Sequence, residues 1–505
     1  MKKKPLGNVM RSWIALGSTA WPCLLTSCAT VDHKPELAAA SRAMARATGL
    51  ETHWDELPET RELTVDDSGR VPLETVIAFA LNNNRSLRAD LEVIGQAKAD
   101  FVQSGLLSNP VLALTTGFPE GGGRANIAFG LSKDFADLWL IPVRKQAAHA
   151  LVQQRVLSFT DTAITLLNET RIAYYGLQYQ VTAIGLQEEN LRILKESMAI
   201  AEARFRAGDT TQLDVNLVQA RYVEVQNQLL QITTAAHVSR RVLLRLMGVS
   251  RASANWEPDA LGTSPQALQL TGDETELVEV ALLQRLDAQA ARWELEAAVA
   301  DFEQQCRRVI PSFMVGLSGE RFERRATPGR DVLADTARAS IAGGELTAPE
   351  IQTPAERREA RSQEIDMILG PSFELPLPIF DQNQAQIAKA RFRARELQRR
   401  YEEVEQRVAE GVRSAFIQRR LAEDRVKLFH ESLLPLQEAN LDLSRAAYQA
   451  GRESILTVLV AQEALIRTRL DFIAAVRDLA MNTANLERQL GGPIALIAQA
   501  IEPQP

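Results

Sequence analysis

The chain has 505 residues, of which 46% are hydrophobic, 6% are aromatic and three are cysteines. An apolar content of this size allows a large core and excludes wholesale disorder. The formal net charge of −7 argues against a general nucleic-acid-binding protein, because contacts with phosphates need a basic surface. With three cysteines and five scattered histidines, neither a disulfide framework nor a structural zinc site is expected.

The first 27 residues predict a lipoprotein signal peptide. Basic residues at Lys2 to Lys4 and at Arg11 precede a mostly apolar stretch over 12–27, which is shorter than the roughly twenty residues of a transmembrane helix. The segment from Leu25 to Ala29 reads Leu-Thr-Ser-Cys-Ala and resembles a bacterial lipobox. This resemblance implies lipid attachment at Cys28 and, with alanine after the cysteine, sorting to the outer membrane. An ordinary signal peptide with a chance cysteine stays open as the alternative.

The rest of the chain contains an internal repeat. Residues 80–110 align without gaps with residues 281–311, and residues 203–248 align with residues 446–491 at an offset of 243. The second alignment holds nine identities, where chance gives about three or four. The predicted segments are a signal peptide over 1–27, an N-terminal extension over 28–70, repeat 1 over 71–250, a linker over 251–272, repeat 2 over 273–492 and a C-terminal tail over 493–505.

Each repeat predicts the same elements in the same order. An Ala-rich amphipathic helix over 72–106 or 274–308 comes first, two short strands follow, and a long helical hairpin completes the unit. The strands are predicted from alternation of apolar and small or polar residues with a period of two. They span 111–118, 126–135, 312–322 and 368–380. A long, charged extracellular loop is expected over 319–367 in repeat 2.

The helical hairpins carry a heptad pattern. In repeat 1 an apolar residue recurs every seven positions at Leu177, Ile184, Leu191, Met198 and Phe205. This period predicts coiled-coil-like packing against neighbouring helices. A helix of about 70 residues spans about 105 Å, and Gly208 and Gly451 are the predicted turns. Pro435 should kink the helix of repeat 2, because proline removes a backbone donor and crowds the preceding turn.

These elements predict a mostly α fold with a small β part that several chains complete together. Four strands cannot close a membrane barrel, which needs at least about eight, and an open sheet edge cannot lie in lipid. Strands that close a barrel, helices that extend it and an outer-membrane signal together describe a tube. We therefore expect an export duct.

Three motifs resemble the TolC-like outer-membrane efflux proteins, and the resemblance covers residues 71–492. They lie at 203–215, 447–458 and 375–388. The resemblance implies a homotrimer in outer-membrane lipids, with a twelve-stranded membrane β-barrel on a periplasmic α-barrel. It also implies a periplasmic adaptor (membrane fusion) protein and an inner-membrane pump of the RND type as partners. The Pro-rich strand followed by Asp-Gln-Asn-Gln resembles the heavy-metal branch, which makes metal ions candidate substrates.

The resemblance also implies roles for residues at the two hairpin turns. It implies that an adaptor contacts a periplasmic tip formed by Arg204, Ala207, Gly208, Ala450 and Gly451. It implies a gate or pore constriction at Asp214, Tyr448, Arg452 and Thr457. The alternatives stay open: the glycines would simply allow the turns, and Asp214 would be a solvated residue at a helix end. An Asp214 ring would attract cations.

No nucleophile, His-Glu-x-x-His or paired-cysteine motif occurs in the sequence, so neither an enzyme nor a cofactor nor a metal site is expected. The leading hypothesis is a passive outer-membrane channel of a tripartite efflux system. The alternative is a lipid-anchored periplasmic coiled-coil scaffold or adaptor without a barrel. A duct that exports peptides or polysaccharide shares the fold and stays open as a third interpretation.

Overall fold

The computed structural model describes residues 31–54, 69–118, 125–249, 256–261, 273–323, 341–344 and 365–501. The predicted signal peptide and Cys28 lie outside these ranges. The described part is mostly helical with few strands, which confirms the predicted fold class at this level. The helices are α1 (Lys34–Thr48), α2 (Leu73–Asn83), α3 (Arg85–Ser104), α4 (Asp137–Ala207), α5 (Gln212–Leu246), α6 (Glu274–Gln284), α7 (Leu286–Arg307), α8 (Gln384–Leu428), α9 (Leu434–Gln449), α10 (Ile455–Leu490) and α11 (Ile494–Ile501). The strands are β1 (Arg70–Val71), β2 (Val111–Gly117), β3 (Asn126–Asp134), β4 (Glu257–Pro258), β5 (Met314–Glu323) and β6 (Ile365–Glu374).

The chain divides into two compact units. The helical unit contains the described residues up to Asp100, from His149 to Glu296 and from Arg395 onward. The strand unit contains the described residues from Phe101 to Ala148 and from Ala297 to Ala394. None of the helices in the described part of the chain is both long and apolar enough to cross a membrane.

The predicted first helix of each repeat is in fact two helices, separated by one extended residue. Asn84 divides α2 from α3, and Arg285 divides α6 from α7. The Asn84 side chain accepts hydrogen bonds from the N–H groups of Ser86 and Leu87 at 3.0 and 3.1 Å. Because asparagine satisfies these free donors with its side chain, it favours a new helix start over a continuous helix.

The two break residues also bind the far end of their own repeat. Asn84 Nδ2 donates to the Leu246 carbonyl at 2.9 Å, and Arg285 Nη1 donates to the Gln489 carbonyl at 3.4 Å. These contacts are equivalent, since the break residues differ by 201 positions and the acceptors by 243. Each break residue thus joins the start of its repeat to the end, because its side chain donates to a carbonyl in the last turn of the return helix.

The hairpin of repeat 2 is interrupted where that of repeat 1 is not. α4 is continuous over 71 residues, whereas a π-helical turn over Phe429–Leu433 separates α8 from α9. Pro435 lies in the first turn of α9. The helix is therefore interrupted beside Pro435, where the sequence predicts a kink. A proline has no N–H for the backbone ladder, and the wider turn accommodates its ring.

The strand unit contains a four-stranded antiparallel sheet in the order β2-β3-β5-β6. The sequence places the fourth strand at 368–380, but β6 ends at Glu374 because Pro376 and Pro378 cannot continue the ladder. The predicted loop over 319–367 is also too long: β5 continues to Glu323 and β6 begins at Ile365.

One face of this sheet is apolar and exposed. Leu112, Leu131 and Leu317 lie opposite one another on three successive strands, and all three are exposed. In the next row Phe129 lies opposite Gly319, and its ring fills the place of a Cβ there. The opposite face carries small and polar residues such as Ser132.

The predicted extension, linker and tail contain structure that periodicity did not indicate. β1 pairs in parallel with β4, which joins the predicted extension to the predicted linker. Trp256, just before β4, is fully buried against Tyr174 and Leu243. In the tail, Ile494 and Ile497 of α11 pack into a cluster with Leu490. These segments are too short for a periodic pattern, but they complete the helical core.

Candidate functional site

The two hairpin turns end their helices in the same way. Gly208 has a φ of 82° and Gly451 a φ of 70°, the left-handed region that favours glycine. In repeat 1 the N–H groups of Gly208 and Asp209 donate to the carbonyls of Phe205 and Arg204 at 3.0 and 2.9 Å. The equivalent residues of repeat 2 make both bonds at 3.0 Å. Each helix thus ends in a Schellman motif.

Asp214 is a capping residue of the return helix α5. Its carboxylate accepts hydrogen bonds from the hydroxyls of Thr210 and Thr211 at 2.7 Å and from the Thr211 N–H at 3.0 Å. The Asp214 N–H donates in turn to Thr211 Oγ1 at 3.3 Å, which completes a capping box. The two hydroxyls and the Thr211 N–H lower the pKa of Asp214 below its ordinary value. All of these partners lie within the turn, so the Asp214 carboxylate stabilises the start of α5.

The turn of repeat 2 has a weaker cap. Ser454 is the N-cap residue just before α10, and its side chain makes no capping bond. Thr457 takes the position equivalent to Asp214, and its hydroxyl donates to Glu453 Oε2 at 3.0 Å. The two turns therefore share a backbone but differ in how their side chains hold the following helix.

The structure brings two of the predicted residues together across the repeats. The Arg204 guanidinium lies 5.0 Å from the centre of the Tyr448 ring, within the range of a cation–π interaction. Tyr448 also packs against the cluster that contains Leu441 and Val458. This contact joins the two hairpin ends, and sequence spacing gave no sign of the pairing.

The remaining predicted residues surround this contact. Ala207, Gly208, Ala450 and Gly451 are exposed at the turns. Arg452 is exposed as well, and its N–H donates to the Ala447 carbonyl at 3.0 Å. A Cβ added at either glycine would meet no atom within 4 Å. The turn surface thus has room for a partner.

A chain of three buried amides and one half-buried amide links α4, α5 and α10, and sequence reasoning missed it. Gln462 of α10 donates to Asn190 of α4 at 3.2 Å, and Asn190 donates to Gln187 at 3.4 Å. Gln187 then donates to Gln228 of α5 at 3.2 Å. The identity of Gln462 with Gln219 across the repeats was the available signal. Because each amide satisfies the next, the network fixes the register of three helices.

No group of three or more histidine, cysteine, aspartate or glutamate side chains within the described ranges could hold a metal ion. The turns, their caps and the Arg204–Tyr448 contact instead form a mechanical site. At this site the two hairpin ends meet through the Arg204–Tyr448 contact, an ion pair between Arg221 and Glu463, and the packing of Leu459 in the cluster of α4 and α5 residues.

The fold and the site define a class of protein built from tandem helical hairpins, each preceded by a pair of antiparallel strands. The family model described as "Outer membrane efflux protein" matches residues 76–249 and 277–492. The chain therefore belongs to the outer membrane efflux protein family. The resemblance seen in the sequence motifs is confirmed.

Individual relatives are distant but extend over most of the chain. The cation efflux system protein CusC of Escherichia coli K12 is 24% identical over 438 residues, which cover 83% of this chain and 86% of CusC. The outer membrane protein OprJ of Pseudomonas aeruginosa is 26% identical over 448 residues, which cover 83% of this chain and 84% of OprJ. A crystal structure of CusC superposes with a TM-score of 0.64 at 20% identity, over 83% of this chain and 92% of CusC, which shows the shared fold.

Proposed function

We propose that this chain is the outer-membrane channel of a tripartite efflux system, a passive duct formed by three copies. The observation that carries the proposal is the four-stranded sheet, with its exposed apolar face and two outer strands, β2 and β6. An unpaired strand edge cannot lie in lipid, because its N–H and C=O groups would have no partners. Three copies supply twelve strands, which exceeds the eight or so that closure requires.

The helical hairpins suit the periplasmic part of such a duct. Their heptad residues pack in clusters, among them Leu177 with Tyr174 and Leu191 with Leu194. A channel of this kind needs no catalytic group and leaves the choice of substrate mostly to its pump. A periplasmic adaptor and an inner-membrane pump of the RND type are the proposed partners.

We propose metal cations as the substrate class. The support is the printed name of CusC, a cation efflux system protein, whereas OprJ is named only as an outer membrane protein.

The Asp-Gln-Asn-Gln motif has a structural role. Asp381 accepts from the Asn383 N–H at 2.9 Å, and Asn383, with a φ of 61°, donates to the Gln305 carbonyl at 2.8 Å. The motif thus holds the turn before α8.

Membrane fractionation and bilayer conductance test the proposal against the scaffold alternative. We expect a trimer that stays in outer membranes through alkaline washing, migrates differently after heating in detergent and conducts ions in a planar bilayer. A monomer that mild washing releases, without conductance, would overturn the channel and favour the scaffold. Loss of the gene should sensitise cells to metal cations, and export of peptides or polysaccharide instead would contradict the proposed substrate.

We propose that Cys28 carries a lipid anchor. The support is the lipobox-like segment from Leu25 to Ala29. Cys28→Ser should abolish labelling with radioactive palmitate while channels still assemble, because the anchor and the sheet reach the membrane independently. Unchanged labelling of the variant would contradict the anchor.

We propose that the hairpin turns contact the adaptor and that Asp214, Tyr448, Arg452 and Thr457 lie at the gate. The exposed glycines with free space around them support an adaptor contact at Gly208 and Gly451. Gly451→Trp should reduce cellular export and adaptor binding while conductance of the purified channel persists. Wild-type export by this variant would count against contact at that turn.

A further inference from the structure

An open, basic cavity lies where the break between α2 and α3 meets the end of α5. Its volume is about 470 Å³, which is in the range of small-molecule sites. Arg85, Arg241 and Arg245 line the cavity, and none of the described residues around it is acidic. Three positive charges thus share one cavity in a chain whose net charge is −7.

The three arginine side chains have no partner within the part of the chain that the structure describes. Each residue is exposed, and none of the side chains makes a hydrogen bond, an ion pair or a ring contact there. Arg85 is also the first residue of α3, where the helix dipole disfavours a positive side chain. Guanidinium groups around one cavity repel one another, so an anion bound between them lowers the electrostatic free energy.

The backbone on the two sides of the cavity is joined by polar bonds. Asn84 Nδ2 donates to the Leu246 carbonyl at 2.9 Å, while Asn84 Oδ1 accepts from the Ser86 N–H at 3.0 Å. Arg85 and Arg245 are the direct neighbours in sequence of the bonded pair, Asn84 and Leu246. The backbone that carries the arginines is therefore preorganised, which lowers the entropic cost of binding a ligand.

The equivalent place in repeat 2 has almost no free volume. At an offset of 243 the cavity residues Arg241 and Arg245 correspond to Ala484 and Arg488. These two residues line a gap of about 20 Å³, which is room for about one water molecule. Repeat 1 therefore keeps an open volume that repeat 2 lacks.

Repeat 2 also carries acidic groups that the cavity lacks. Ser86 lines the cavity, and at the offset of 201 it corresponds to Asp287, which pairs with Arg285 at 2.6 Å. Arg488, at the end of α10, pairs with Asp161 at 3.1 Å. Carboxylates of the same chain thus neutralise the junction in repeat 2, whereas in repeat 1 an external anion can take that role.

We propose that this cavity binds a phosphate-bearing anion. A guanidinium group matches two phosphate oxygens with parallel N–H bonds, and the Ser86 hydroxyl can donate a further bond. One phosphate monoester carries up to about two negative charges, so a ligand with a second phosphate uses all three arginines. Phosphate groups of this kind occur in soluble esters and in phospholipid headgroups. The inference goes beyond the proposed channel and does not depend on it.

Calorimetric titration of pyrophosphate into the purified full-length protein tests the site. We expect saturable binding that weakens as the salt concentration rises, because the contacts are ionic. Arg241→Gln and Arg245→Gln should each raise the Kd about tenfold. Arg245→Lys should raise it less, because lysine keeps the charge and loses only the planar fork. Binding that does not saturate, or a Kd that the glutamine variants leave unchanged, would overturn the proposal.

Matched controls separate the site from overall charge. Arg240→Gln removes the same charge one position away on α5 and should bind like wild type, since Arg240 does not line the cavity. Ser86→Asp places a carboxylate in the cavity, as Asp287 does in repeat 2, and should block binding. Asn216→Asp adds that charge roughly 40 Å away along α5 and should not. Equal losses in the site and control variants would contradict the site, and circular dichroism confirms that each variant folds.

Mass spectrometry of the lipid that the purified protein retains distinguishes the two sources of phosphate. Phospholipid that survives exchange into a non-ionic detergent in the wild type, but is lost in Arg241→Gln, assigns a lipid headgroup. Saturable pyrophosphate binding without retained phospholipid assigns a soluble ester. The absence of both would refute the site, whether or not the protein conducts ions.

Discussion

The two hairpins share a fold but differ in how firmly their ends are held. In repeat 1, α4 is uninterrupted and the return helix begins with the Thr211–Asp214 capping box. In repeat 2, a π-helical turn precedes α9 and the side chain of Ser454 makes no capping bond to α10. Both repeats thus keep the glycine turn, while the side-chain bonds around it differ. We therefore expect repeat 1 to act as the fixed side of the tip and repeat 2 as the side that moves.

The largest expected effect is a difference in stability between the two repeats when the glycine after each return helix is replaced by alanine. Gly248 has a φ of 71°, and a Cβ there would lie 2.2 Å from the Asn83 carbonyl oxygen, whereas at Gly491 the nearest atom would lie at 3.4 Å. Gly248→Ala should lower the free energy of unfolding by about 3 kcal/mol, from backbone strain and overpacking together. Gly491→Ala should cost about 1–2 kcal/mol from strain alone. Urea unfolding measures both, with Gly208→Ala in open space as the control. Equal losses at 248 and 491 would contradict the packing argument.

A smaller effect is expected at the contact between the hairpins. Tyr448→Ala removes the cation–π interaction with Arg204, worth about 0.5–1 kcal/mol at an exposed site. The tip should open more often, which single-channel recording would detect as a higher open fraction. Arg206→Ala, on the same helix end, serves as the control and should leave the open fraction unchanged. An unchanged open fraction in the Tyr448→Ala channel would show that this contact does not contribute to the gate.

The smallest effect concerns pH at the cap of repeat 1. Because its hydrogen bonds lower the pKa of Asp214, the carboxylate stabilises the turn fully above its unfolded value of about 3.9. This stabilisation is lost as the pH falls below that value through the folded pKa. Hydrogen exchange at the Thr211 amide should therefore accelerate in acid beyond the intrinsic rate. Asp214→Asn should abolish the pH dependence, and its persistence in that variant would assign the effect to another group.

The sequence predicts features whose causes are local. The turn glycines follow from their left-handed backbone, and the interruption near Pro435 follows from the missing N–H. The Thr211-x-x-Asp214 spacing is likewise typical of a capping box, a local signal that neither interpretation of Asp214, as a pore residue or as a solvated residue at a helix end, used. Each of these depends on residues within one or two helical turns.

Other features depend on contacts between distant residues, which no local pattern reveals. The break at Asn84 is stabilised by a carbonyl 162 positions away, and the Arg204–Tyr448 contact joins opposite repeats. Helical periodicity continues across Asn84 and Arg285, so the sequence predicts one helix where tertiary bonds favour two. The end of β6 at Glu374 was only partly visible, in the two prolines that follow it.

The π-helical turn over Phe429–Leu433 has a consequence for the tip. Each residue of an α-helix advances the chain by about 1.5 Å and 100°, and Tyr448 lies fifteen positions beyond Leu433. Removing one residue between Phe429 and Leu433 would therefore swing the tyrosine ring about a quarter of a circle out of line with Arg204. The direction of the Tyr448 ring therefore depends on the backbone roughly 22 Å away along the helix. A change between π-helical and α-helical geometry at Phe429–Leu433 would rotate the hairpin end.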